Sequence, residues 1–244
     1  MDARDMAGRR VLVTGASSGI GRATALVYAG AGAHVVAVAR RADELEKLVS
    51  EAGSLDGTIE AAAGDITDGA FISRLAVSAG AIDVLVNCAG ILGHGPFLDA
   101  DPDDWPKVWA LNVNATMRLS QAVALGMRDR GSGHIVIVTS ILAGKVYRFT
   151  LPYAATKHAL RAIRKGLRME LAEFGIKVTE VAPGLTDTPI LSSFENDDAA
   201  ADYDARPYRP LDAEDVAAAI FRVTLSGPNA CPEIVEVHPL GQIE

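Results

Sequence analysis

Tyr153 and Lys157 frame the run Tyr153-Ala154-Ala155-Thr156-Lys157. Four residues on a helix is about one turn, so both side chains stand on one face. A free phenol ionises near pH ~10 and is a poor base at neutrality, but an ammonium beside it favours the phenolate and lowers that value. Such a pair can move a proton to or from a carbinol oxygen. The spacing alone is common, so its meaning depends on what surrounds it. Upstream, the run from His134 to Thr139 reads as a strand, and Ser140 stands at its end. Ligands of parallel sheets bind beyond the carboxyl ends of strands.

A second constellation is Thr14-Gly15-Ala16-Ser17-Ser18-Gly19-Ile20-Gly21, directly after the apolar strand Arg10–Thr14. Gly15 allows a tight turn, Gly19 lets backbone approach a pyrophosphate, and Gly21 lets helix pack on strand. The helix that follows would present unpaired N–H groups and a partial positive charge to an anion. A glycine turn is weak alone, and its placement between strand and helix makes it a dinucleotide cradle. The next strand closes in Ala39-Arg40-Arg41 with no acid at its tip. An acid there would bond a ribose 2′-hydroxyl, whereas a guanidinium accommodates a 2′-phosphate. NADP(H) is therefore favoured over NAD(H), the alternative being two solvated strand-end charges.

These residues need a scaffold that brings strand ends together. Apolar runs at 10–14, 35–38, 58–63, 82–86, 134–139, 176–181 and 234–237 alternate with helical patterns at about 22–30, 43–49, 103–130, 152–174 and 212–226. Asp43, Asp68 and Asp103 or Asp104 are read as helix caps, with Pro106 in a first turn. Alternation of this kind predicts a doubly wound parallel α/β sheet. The glycine turn, Asn87-Cys88-Ala89-Gly90, Ser140 and Pro183-Gly184 then share one edge. No linker or composition break appears, so residues 1–244 form one domain, with an irregular segment at 185–210.

Composition agrees. The 244 residues are 49% hydrophobic but 5% aromatic, with 23 Gly and a net charge of −8. Disorder needs lower hydrophobicity, and general nucleic-acid binding needs a basic surface. The longest uncharged stretch, Ala23–Ala39, is broken by Gly30, Gly32 and His34 into a helix and a strand, so no membrane span is expected, and the charged N-terminus lacks the apolar core of a signal peptide. The two cysteines, Cys88 and Cys231, make no framework, so a cytoplasmic setting is expected. The five histidines show no ligand spacing, and no metal is expected. Leu160, Ile163, Leu167, Leu171 and Phe174 make the apolar stripe of the Tyr153 helix. Arg161, Arg164, Lys165 and Arg168 are read as a solvated or subunit-facing stripe.

Taken together, the sequence resembles the short-chain dehydrogenase/reductase family in its shorter, single-domain branch, over roughly residues 8–238. The resemblance rests on Thr14–Gly21, Asp65, Asn87–Gly90, Asn112, Ser140, Tyr153, Lys157, Pro183-Gly184, Thr186 and Thr188. It implies a Rossmann-type fold with Tyr153 as catalytic acid/base. Lys157 would lower the phenol's pKa and hold the nicotinamide ribose. Ser140 would bond the substrate oxygen, and Asn112 would hold a water linking Lys157 to solvent. Around the cofactor it implies Gly15, Ser17, Ser18, Gly19, Ile20, Gly21, Arg40, Arg41, Asp65, Ile66, Asn87, Ala89, Gly90, Pro183, Gly184, Thr186 and Thr188. Cys88 departs from the usual second Asn of the Asn87–Gly90 motif, and Thr139 from a common Ser.

The implied reaction is hydride transfer between nicotinamide and a small alcohol or carbonyl substrate. A catalytically silent NADP(H)-binding sensor or scaffold, and an epimerase or dehydratase on the same fold, are the alternatives. Residues 185–210 resemble a substrate lid, and a homo-oligomer, dimer or tetramer, is implied. No nucleic-acid or membrane partner is expected. The ending from Glu233 to Pro239 is similar to that of a subgroup acting on clavulanate-type aldehydes, serine and other 3-hydroxy acids. Lys145 and Arg148, between Ser140 and Tyr153, are then candidates to meet a substrate carboxylate, with Arg148 the expected contact.

Overall fold

The computed structural model describes residues 6–93, 95–190 and 206–243. One parallel sheet runs through it in the order β3-β2-β1-β4-β5-β6-β7. Its strands are β1 (Arg10–Thr14), β2 (His34–Ala39), β3 (Thr58–Ala63), β4 (Val84–Asn87), β5 (Gly133–Val138), β6 (Ile176–Pro183) and β7 (Ile234–Val237). The chain starts at β1, winds outward to β3, then crosses to β4 and winds the other way. The switch point therefore lies between the carboxyl ends of β1 and β4, where Gly15 and Cys88–Gly90 meet.

Both faces are covered, which is why the central strands are continuous apolar runs rather than alternating ones. On one face α1 (Gly19–Gly30), α2 (Ala42–Glu51) and α7 (Ala213–Thr224) pack Ala25, Tyr28, Leu45, Leu48, Val216 and Ile220 against Val11, Val13, Val35 and Val86. The Tyr28 hydroxyl pairs with Thr224 Oγ1 at 2.9 Å, which satisfies a polar atom that α1 buries. On the other face α3 (Gly69–Ser78), α5 (Thr116–Arg130) and α6 (Leu151–Leu171) pack Ile72, Leu119, Met127 and Leu160 against Leu12, Leu85, Ile135 and Val178. Ile163, Leu167, Leu171 and Phe174 join that layer as their spacing predicts.

Local chemistry sets most ends. Asp68 accepts from Ala70 N at 2.9 Å and caps α3. Asp43 lies inside the first turn of α2, whose cap residue is Arg41, so its carboxylate acts on the helix dipole instead. The helix expected from Asp103 or Asp104 to Arg130 is broken into four parts. Asp101 caps a short 3₁₀ turn (Pro102–Asp104), α4 spans Trp105–Trp109, and a π-turn (Ala110–Ala115) precedes α5. Such a turn carries one residue more than the α repeat allows and often marks a functional position; Asn112 sits in it. Of the segment expected as a lid, residues 191–205 lie outside the described residues.

His134 of β5 is 5% exposed and its Nε2 pairs with Thr179 Oγ1 at 2.8 Å. Burial, and then Lys177, push its pKa down from 6.5 to about 4. The unfolded chain binds that proton more readily, so stability is lost as pH falls from about 6.5 to 4. The loss is expected to be on the order of 3 kcal/mol by pH 4. Urea titrations at pH 7 and pH 4 check it: His134→Gln should flatten the pH dependence, and an unchanged slope would refute it.

Candidate active site

One cleft of about 1010 Å³ opens along the carboxyl edge of the sheet. Gly15, Ser17, Ser18, Gly19, Ile20 and Gly21 line its floor, with Arg40, Arg41, Asp65 and Ile66 on one flank. Ser140, Tyr153 and Lys157 are on the other, and Pro183, Gly184, Thr186 and Thr188 also line it. The floor is built by close backbone approach. A Cβ on Gly15, whose φ is +69°, would stand 2.9 Å from Ala89 Cα. One on Gly21 would stand 2.4 Å from the Gly15 carbonyl oxygen. Thr14 Oγ1 accepts from Cys88 N and Ala89 N at 3.0 and 3.1 Å, tying the turn after β1 to the turn after β4.

Ser18 is extended and makes no side-chain cap on α1, so the helix opens onto this floor without an internal acceptor. Arg41 Nη2 donates to Ser17 Oγ at 3.0 Å, bringing a guanidinium to the glycine turn. Asp65 accepts from Thr67 N and Thr67 Oγ1, both at 2.8 Å. The backbone bond from Thr67 holds its carboxyl below the ordinary range against partial burial, and Arg40 adds to the effect.

The polar end of the cleft is buried. Tyr153 is 9% exposed, Ser140 8% and Lys157 4%. Ser140 ends β5 in extended backbone, and its Oγ accepts from Leu142 N at 3.1 Å. Tyr153 and Lys157 share one face of α6, with the Lys157 Nζ 5.3 Å from the Tyr153 ring centroid. Lys157 Nζ donates to the Val138 carbonyl at 3.1 Å. Burial pulls the Lys157 pKa down to about 8, with Cys88 and Glu180 acting in the opposite sense. The expectation that the ammonium lowers the phenol's pKa meets a stronger effect here. Burial raises Tyr153 above its ordinary value, and the neighbouring Ser140 hydroxyl only partly offsets it. Burial thus favours the neutral phenol of Tyr153 over its phenolate.

Three expected contacts are placed differently. Asn87 is buried behind the cleft wall, where its Nδ2 donates to Ser120 Oγ of α5 at 3.0 Å. Asn112 is fully buried: Oδ1 accepts from Ile91 N at 2.9 Å, and Nδ2 donates to Ile91 O and Thr156 Oγ1. Its side chain braces the wall beside Gly90. Arg148 is exposed and outside the cleft lining, its guanidinium 4.5 Å over the Phe149 ring. Lys145 is exposed as well. The loop's geometry turns both away, with Phe149 at φ 67° and its carbonyl accepting from Gly95 N. Arg206, Tyr147 and the stacked pair Phe97–Trp105 line the cleft instead. No spacing signals Arg206, because its segment is irregular and reaches the cleft only through the fold.

A doubly wound parallel sheet with a glycine floor at its switch point defines the class of dinucleotide-binding α/β proteins. Within that class the chain belongs to the short chain dehydrogenase family, whose model matches residues 9–199. It is an oxidoreductase of that type. An uncharacterized oxidoreductase of Mycobacterium tuberculosis strain H37Rv is 44% identical, over 96% of this chain and 92% of its own. A closed form of serine dehydrogenase complexed with NADP+ superposes with a TM-score of 0.88 at 30% identity, covering 96% of both chains. A short-chain dehydrogenase from Sphingobium yanoikuyae in complex with NADPH gives 0.82 at 28% identity, over 93% of this chain and 87% of its own.

Proposed function

We propose that this protein is an NADP(H)-dependent carbonyl reductase or alcohol dehydrogenase with Tyr153 as its acid. The observation that carries the reading is the buried pair of hydroxyls, Ser140 and Tyr153, at one end of the cleft. It lies in one cleft with Lys157 and an arginine-flanked glycine floor. The residues fit a dinucleotide, since the floor has no room for Cβ atoms and its flank carries Arg40 and Arg41. NADP complexes of two structural relatives support the same cofactor.

Bound nicotinamide would supply or accept the hydride. This chain's residues do the rest. The Ser140 and Tyr153 hydroxyls converge on a carbonyl oxygen and polarise it, and Leu142 N orients Ser140 Oγ. Tyr153 gives its proton to the oxygen as negative charge develops there. Lys157, held by Val138 O, then stabilises the phenolate through charge. In the reverse direction the same phenolate takes the alcohol's proton. Pro183, Gly184, Thr186 and Thr188 line the side where the nicotinamide end would rest.

A homo-oligomer is part of this reading. Met117 and Leu125 on α5 and Met169 on α6 offer exposed apolar surface for it. Among the described residues no helix is long and apolar enough to cross a membrane. The deciding experiment follows NADPH oxidation against a panel of aldehydes, ketones and keto acids. The acids are included because Arg206 adds a guanidinium to the cleft wall. Turnover of one class is expected. Tight NADPH binding with no turnover would favour the silent sensor, and isomerised or dehydrated product without net oxidation would favour the other chemistries.

A further inference from the structure

Glu180, in the middle of β6, is 0% exposed, and among the described residues it is the one buried carboxylate. Its Oε1 accepts from Thr139 Oγ1 at 2.8 Å and from Arg161 Nε at 2.9 Å. Its Oε2 lies 3.6 Å from Arg164 Nε, a buried pair of atoms in ionic contact without a hydrogen bond. Arg161 reaches on to Glu236, and Arg164 Nη1 to Glu233 at 2.5 Å, both on or beside β7. The stripe expected to be solvated or subunit-facing is therefore partly internal, with Arg164 only 3% exposed.

The placement gives this carboxylate a role beyond charge balance. Lys157, Arg161 and Arg164 follow one another at helical spacing on the face of α6 that covers β6. Thr139, which Glu180 grips, stands between Val138 and Ser140. The Val138 carbonyl holds the Lys157 ammonium, and Ser140 shares the cleft with Tyr153. Burying a carboxylate under two guanidinia costs several kcal/mol of desolvation per ion, so apolar packing would serve the core at least as well. We infer that Glu180 is a positioning residue for the reaction, fixing Ser140 through Thr139 and setting the charge felt by Lys157 from beneath α6. This rests on the proposed roles of Tyr153 and Lys157.

The charged and titratable groups around Lys157 are few. Tyr153 and Arg161 share its helix, Cys88 comes from the turn after β4, and Glu180 comes from β6. Burial pushes the Cys88 thiol up to about 12, so it is neutral at working pH. Glu180 is then the standing negative charge that favours the Lys157 ammonium.

The test measures kcat, KM for NADPH and the pH profile of kcat, using the fastest carbonyl compound of the panel. Glu180→Gln keeps the shape and removes the charge. It is expected to lower kcat about tenfold and to shift the alkaline limb, where Lys157 loses its proton, down by about 0.5 pH unit, with KM for NADPH unchanged. Arg161→Gln removes a cation from the same stripe and should shift that limb upward. Opposite shifts are not produced by a merely structural role. If both variants lower Tm but leave kcat and the limb in place, the proposal is wrong. Should Glu180→Gln fail to fold, an unmoved limb in Arg161→Gln is sufficient to overturn it. Tyr153→Phe separates the two readings: if it still turns over, the catalytic assignment fails, and if it is inert while the other variants are neutral, only the Glu180 inference fails.

Discussion

Replacing Tyr153 by phenylalanine is expected to lower kcat by about 10²–10⁴-fold while NADPH binding is retained. The substitution removes one oxygen from a buried side chain of α6 and keeps its ring, so the fold and the glycine floor are expected to be untouched. What disappears is a buried hydroxyl that shares the cleft with Ser140 and has an ammonium beside its ring. Because burial favours the neutral phenol, the wild-type enzyme is poised to donate, and reduction should lose as much as oxidation. NADPH fluorescence titration should give a Kd within about threefold of wild type, since on the proposed reading the cofactor's phosphates would meet residues on the far flank. Turnover close to wild type would remove Tyr153 from the mechanism. Lost NADPH binding would mean that the residue supports the cleft rather than the chemistry.

Cofactor choice should respond almost as strongly to the arginines after β2. Each charge-assisted bond to a 2′-phosphate is worth about 1.5–3 kcal/mol, or about 10- to 150-fold in affinity. Arg40→Asp removes a cation and places a repulsive carboxylate at the same point. The ratio of kcat/KM for NADP over NAD is expected to fall by about 10²-fold. Arg41→Ala should lower the ratio less, about tenfold, because no repulsion is added. Arg41 also holds Ser17, so part of its loss should appear with both cofactors. A ratio unchanged in both variants would show the arginines to be solvated strand ends.

Much of this arrangement was readable along the chain because it depends on local physics. β1, β3 and β7 match their apolar runs residue for residue. Asp68 caps α3 because a side-chain acceptor two residues before a free N–H needs no tertiary help. The long helix expected before β5 is interrupted for a reason of the same kind reversed. Its sequence from Trp105 to Arg130 has helical spacing throughout, and the π-turn at Ala110–Ala115 arises where Asn112 is pulled onto Ile91. That tie spans distant parts of the chain and leaves no periodic trace.

The sequence by itself determined the class of chemistry. Tyr153 and Lys157 are one helical turn apart, Ser140 ends a strand, and the glycines follow β1, all set by neighbours within a few residues. Only the tertiary structure decided which side chains meet. It buried Asn87 against Ser120, turned Arg148 onto Phe149 and brought Arg206 to the cleft wall. It also made an internal ion cluster of a stripe that reads as surface, because Glu180 of β6 lies beneath α6. Spacing along one element fixes direction within that element. Burial and charge depend on the partner element, and the partner is set by the winding of the sheet.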